Sequence, residues 1–181
     1  MYLPFFLVYN DLMKITLQKW KMSDLSDLID MQNHLDRTWL TDQFPVFNEL
    51  IGLLWLRRAG KPDVYARAIY VDGKLAGSIY ATRQIDIYGH NAELSYYLRK
   101  EYMDQGIMSY VLPQFLDEVY DQLHIHKLYA LVFAENKASC RVLEKNGFIL
   151  EGIQKEHLFK HDSYHDMCVY GSIDKRGDNQ C

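Results

Sequence analysis

Residues 92–98 read AELSYYL, residues 102–112 read YMDQGIMSYVL, and residues 128–148 read LYALVFAENKASCRVLEKNGF. Apolar residues alternate in the first stretch, as in a half-buried strand. The second carries a glycine and then a helical pattern. The third is a strand followed by a short helix opened by Asn136 and closed by Gly147, the position after a helix where a left-handed conformation favours glycine. A turn that feeds a helix N-terminus is an anion site, because the first amides of a helix have no partner within it. The order strand, glycine turn, helix, strand, helix therefore points to a phosphate-bearing cofactor wedged between two strands. Asn136 and Ser139 lie beside its reacting end.

The 181 residues suit one domain, and 49% apolar content is enough for a core. Fourteen tyrosines suit pocket walls and half-buried strands. A net charge of −4 gives no electrostatic reason to expect nucleic acid. Three cysteines, Cys140, Cys168 and Cys181, have no metal-ligand spacing; their odd, small number fits a reducing, cytoplasmic compartment. Cys140 and Cys168 read as buried packing residues. The histidines also match no metal box, so no metal is expected. The apolar opening, MYLPFFLVYNDL, is too short to cross a membrane and lacks the basic start and cleavage site of a leader.

Residues 1–12 read as an upstream extension or a packing arm, residues 13–174 as one domain, and residues 175–181 as a polar tail. Within the domain, residues 15–20 alternate as a strand. Ser23 is the expected N-cap of a helix to about residue 35, and a second helix spans about 48–58. Strands are expected at 64–71, 75–87, 92–98 and 127–134, with Asp72-Gly73 as a hairpin turn. Helices are expected at 105–123 and 137–146, and two last strands at 148–157 and 163–173. No GxGxxG follows the first strand, which argues against a dinucleotide fold. The chain reads as α+β, or mixed α/β.

Glu93 to Phe148, with the loop LTDQFPVF at 40–47 and the closing strand SYHDMCVYGS at 163–172, resembles the GNAT acetyltransferase superfamily, and within it the RimJ/RimL-type branch that acetylates protein N-termini. The likeness covers residues 13–173. It implies a mostly antiparallel sheet of six or seven strands with a splayed strand pair, flanked by about four helices. It implies acetyl-CoA as cofactor and direct attack of an amine on the thioester. Asp104, Gln105, Gly106, Ile107, Met108 and Ser109 match the pyrophosphate loop. Met103 and Met108 depart from its usual pattern, and Met108 is expected to narrow the site. Tyr97 and Leu98 match the strand that holds the pantetheine arm.

The same resemblance makes Glu93 the general base, Asn136 a catalytic residue that contacts the cofactor or a bridging water, and Ser139 both a cofactor contact and the acid for the leaving thiolate, with Tyr129 and Tyr164 as weaker candidates for that acid. Trp39, Phe44 and Phe47, with Pro45 and Trp55, form the expected acceptor floor, and Asp42 and Glu49 attract the amine. Each of these residues also has an ordinary structural use: a strand-end carboxylate, a helix cap, aromatic packing between helices. The acceptor is expected to be a protein N-terminus. A small amine such as a polyamine is the alternative, and a CoA-binding module without turnover is a third reading. The aromatic arm would suit a homodimer. No membrane partner is implied.

Overall fold

The protein is described from a computed structural model, which defines residues 13–35, 38 and 47–174. Seven strands form one sheet in the order β1-β2-β3-β4-β5-β7-β6. They are β1 (Ile15–Gln18), β2 (Val64–Val71), β3 (Lys74–Arg83), β4 (Asn91–Leu98), β5 (Lys127–Phe133), β6 (Ile149–Lys160) and β7 (Ser163–Ile173). All neighbours are antiparallel except β4 and β5. Among the described residues there are four α-helices: α1 (Leu25–Asn33), α2 (Glu49–Ala59), α3 (Ile107–Leu123) and α4 (Lys137–Lys145).

The helices sort to the two faces of the sheet by their apolar stripes. The larger core joins β2 to β5 with Ile107, Val111, Leu112, Phe115 and Val119 of α3 and with Cys140 and Leu143 of α4. A smaller core on the other face joins Leu28 and Met31 of α1 with Phe47, Leu56 of α2, Ala68 and Leu75. Leu28, Met31 and Leu35 recur at helical spacing, so one side of α1 is dry and the other wet. α2 approaches closely at Gly52, where an added Cβ would lie 2.7 Å from Leu25.

Several turns follow local chemistry. Asp72 (φ 50) and Gly73 (φ 79) make the β2–β3 turn with two left-handed residues, which matches the twist of the paired strands. Asn48 caps α2 by accepting from the Ile51 amide at 3.0 Å. Gly147 (φ 80) follows α4 as expected.

Three boundaries differ from the sequence reading. Ser23 is not a cap but part of a 3-10 turn, Met22–Asp24, ahead of α1; Asp24 accepts from the Lys21 amide at 2.8 Å instead. β3 ends at Arg83 because its partner β4 begins opposite, and Ile85 and Ile87, though strand formers, lie 75% and 88% exposed. α3 starts at Ile107, since Gly106 (φ 75) cannot belong to a right-handed helix.

Gly77 of β3 lies where a Cβ would come within 2.4 Å of the Tyr97 carbonyl oxygen, whereas at Gly152 nothing lies within 4 Å. Gly77→Ala should therefore lose roughly 1–3 kcal/mol of stability and Gly152→Ala well under 1, measured as shifts in urea midpoint at unchanged slope.

Candidate active site

β4 and β5 pair at only three positions, Asn91–Lys127, Ala92–Leu128 and Glu93–Tyr129. Beyond them each strand goes on with its other neighbour, β4 with β3 to Leu98 and β5 with β7 to Phe133. The two strands thus part into a gap, as the resemblance implies.

The alternation of main-chain groups tells which residues face the gap. The Arg99 amide donates to Ala76 at 2.8 Å and the Asn91 carbonyl accepts from Gln84 at 2.9 Å, so odd-numbered residues of β4 turn to β3. The His90 carbonyl accepts from His126 and Lys127, on the β5 side. Tyr96 and Leu98 therefore present their main-chain groups to the gap. Tyr97 does not: its main chain turns to β3, opposite Ser78.

Side chains alternate too. Tyr97 packs in the smaller core, where its hydroxyl accepts from the Gln32 amide of α1. Burial pushes its phenol above the ordinary tyrosine range. Its side chain ties α1 to the sheet and does not wall the gap. Tyr96 points the other way, against the larger core, with its hydroxyl 2.6 Å from Ser139 Oγ and 3.4 Å from the Ser139 carbonyl oxygen. Burial is also the main reason the Tyr96 phenol is held above its usual range. Sequence reasoning assigned Tyr96 no role; its parity with Leu94 and Leu98 was the available signal.

Ser139 stands in the first turn of α4 because Asn136 caps that helix, accepting from the Ser139 amide at 3.1 Å. The cap fixes where the serine stands relative to β4. On the opposite face, Tyr129 of β5 donates to Glu93 Oε2 at 3.4 Å. Burial first, then the Glu93 charge and hydrogen bond, push Tyr129 up to about 12. Tyr164 lies apart, 65% exposed and packed on Phe159 beside the β6–β7 hairpin.

The loop before α3 turns on two left-handed residues, Asp104 (φ 58) and Gly106 (φ 75). No side chain caps α3, so its first amides remain available to an anion, and the curled main chain suits one. Gln105 donates to the Glu101 carbonyl at 2.6 Å, bracing the loop. Ser109 is half-buried, while Ile107 and Met108 are buried in the larger core, at 1% and 6% exposure. Met103 packs against the same core. The expected narrowing by Met108 is thus not observed, because the helix register turns its side chain inward.

Phe47 is likewise core, 3% exposed, its main chain bonded to Asn33. Trp55 is half-buried; it meets Trp20 edge-on at 4.8 Å and Tyr80 at 6.1 Å. Glu49 is exposed. Trp39, Asp42, Phe44 and Pro45 lie outside the described residues, as do residues 1–12 and 175–181. Cys140 and Cys168 are both buried. Among the described residues no group of three or more His, Cys, Asp or Glu could hold a metal ion, and no helix is long and apolar enough to cross a membrane.

Residues 14–149 match the acetyltransferase (GNAT) domain family. The ribosomal-protein-serine acetyltransferase of Escherichia coli is 30% identical over 58% of this chain and 58% of its own length. The spermidine N(1)-acetyltransferase of the same species is 23% identical over 86% of each chain. The chain spans 48–66% of the length of four curated relatives, that ribosomal-protein-serine acetyltransferase among them. A solved acetyltransferase of the GNAT family from Streptococcus pneumoniae superposes with a TM-score of 0.79 at 18% identity, over 88% of this chain and 99% of that one.

Ultraviolet titration should resolve Tyr129 near pH 12, as the difference between the protein and Tyr129→Phe. Glu93→Gln should lower that value without restoring 10, since burial outweighs the carboxylate. The folded state holds this proton more tightly than the unfolded chain. The associated stability is therefore full below pH 10 and lost as pH rises through about 12.

Proposed function

Since the chain belongs to the GNAT acetyltransferase family, we propose that it is an acetyl-CoA-dependent N-acetyltransferase whose acceptor is a primary amine, specifically the N-terminus of a protein. The observation that carries this is the gap between β4 and β5, with Glu93 and Tyr129 on one face and Ser139 and Tyr96 on the other. The residues fit the cofactor. The amides of Gly106 to Ser109 would hold its pyrophosphate, and the main-chain groups of Tyr96 and Leu98 would hold the pantetheine arm. Asn136 and Ser139 would flank its thioester end. Acetyl-CoA, when bound, supplies the activated acetyl group and the leaving thiolate.

Glu93 takes a proton from the acceptor ammonium, directly or through water, and leaves the amine free to attack. Tyr129 holds the carboxylate in place. Ser139 would stand by the sulfur as charge develops on it. The amine's bond to carbon would form as the carbon–sulfur bond breaks, the nitrogen's second proton passing to solvent, and no covalent bond to the protein is needed. Positioning two reactants side by side supplies much of the rate, and proton removal a further 10²–10⁴-fold, roughly.

A protein N-terminus is favoured over a polyamine by the lack of a second carboxylate on the strands beside Glu93. Among the residues of β3 and β4 that share the Glu93 face, Ser78, Tyr80, Thr82, Ser95 and Tyr97 are all neutral. One carboxylate suits one ammonium followed by an uncharged main chain. A spermidine-like acceptor is the second reading, supported by the relative that matches over 86% of the chain.

Calorimetric titration with acetyl-CoA, followed by thiol release against N-terminal peptides and spermidine, tests the proposal. Binding with release on peptides is expected, and Glu93→Gln should lower kcat by roughly 10²–10⁴. Release on spermidine alone would transfer the reading to the small amine. Binding with no release on any acceptor would leave a CoA-binding module.

A further inference from the structure

We infer that Tyr96 is a positioning residue for Ser139: its phenol donates to the serine oxygen, and so leaves the serine hydroxyl hydrogen free to meet the departing sulfur. The inference rests on the Ser139 role proposed above and adds a residue that the family likeness did not single out.

Either hydroxyl of a pair 2.6 Å apart could donate. Two observations set the direction. A phenol is a far stronger acid than an aliphatic alcohol, so it is the better donor of the two. The Ser139 carbonyl oxygen, which can only accept, also lies 3.4 Å from the same phenol. The phenol hydrogen thus points at Ser139 through both of its oxygens. The amide of Ser139 is already given to Asn136. Its hydroxyl hydrogen is the donor that remains.

A serine hydroxyl is too weak an acid to protonate a thiolate outright. What it can do is hydrogen-bond to the developing charge, and such a bond strengthens when the hydroxyl itself accepts from a neighbour. Tyr96 polarises Ser139 in this sense and fixes its rotamer. Tyr96 itself gives up no proton, because burial keeps its phenol protonated well above the ordinary range. The thiolate takes its proton from water as the product leaves. The bond also joins β4 to α4, so the strand that holds the cofactor arm and the helix that meets its sulfur move as one.

Tyr96→Phe keeps the ring and its packing and removes only the hydroxyl. It should lower kcat about tenfold, with little change in the KM for acetyl-CoA. Binding provides a readout that needs no turnover. Calorimetry at alkaline pH, where CoA is a thiolate, should show the preference for CoA over desulfo-CoA falling about tenfold in Tyr96→Phe and in Ser139→Ala alike. In the Ser139→Ala background, Tyr96→Phe should cost nothing further in either measurement. If Tyr96→Phe costs the same with and without Ser139, or costs nothing while Ser139→Ala does, Tyr96 does not act through the serine and the inference is overturned. If Ser139→Ala matches the native protein in both, the Ser139 role itself fails.

Discussion

Everything at the site depends on where the β4–β5 ladder stops. Two parallel strands that stayed paired would satisfy one another's main chain and leave no slot. Here pairing ends at Glu93–Tyr129 while each strand remains held by its other neighbour, which makes the opening rigid. Unmet main-chain groups are costly when buried away from any partner. A strand edge with Tyr96 and Leu98 facing an open gap is therefore suited to pair with something else, and an extended ligand carrying amide groups is a natural substitute for the missing strand.

The ladder also sorts chemistry by face. Odd residues of β4 look towards α1 and α2, even residues towards α3 and α4. Glu93 and Ser139 consequently serve opposite sides of one gap. On the proposed reading, an amine bound at Glu93 would come from the α1–α2 side and the sulfur would lie by α4. Ion pairs add local order around this frame. Arg99, directly after β4, meets Asp30 of α1 at 2.5 Å and donates to the Asp27 carbonyl at 3.0 Å. α1 is thereby fastened to the strand that opens the gap. A pair with one partner half exposed is worth little in stability, so its effect is on geometry.

Much of the fold was legible because its signals are local. Asp72-Gly73 and Gly147 after α4 each state a main-chain conformation within a few residues. The helical stripes of α1 and α3 state which side is dry. What was not legible depends on neighbours far along the chain. Ile85 and Ile87 look like strand, yet β3 ends where β4 gives it no partner. AELSYYL shows which side chains share a face, but not which tyrosine turns its main chain to the gap; that follows only from the Arg99–Ala76 bond. Met108 looked like an obstruction because its side-chain direction depends on where α3 begins, and Gly106 sets that start two residues later than the pattern did. Phe47 looked like an acceptor wall for the same reason that core aromatics usually do: residue type does not distinguish a pocket from packing.

The cysteines bear on the chemistry by where they sit. Cys140 follows Ser139 directly, and a thiol beside a thioester invites the thought of acyl transfer through the enzyme. The helix turns it away. Successive residues of α4 point about 100° apart, so with Ser139 held against Tyr96, Cys140 faces the core at 7% exposure beside Leu143. Cys168 of β7 is buried too, and burial first, then Cys140, hold its thiol above the usual range. A nucleophilic cysteine needs the opposite environment, exposed and electropositive. The hydroxyl pair, not a thiol, is what α4 offers to the gap. That arrangement is consistent with an acetyl group passing straight from sulfur to nitrogen, with the protein holding both reactants and forming a bond to neither.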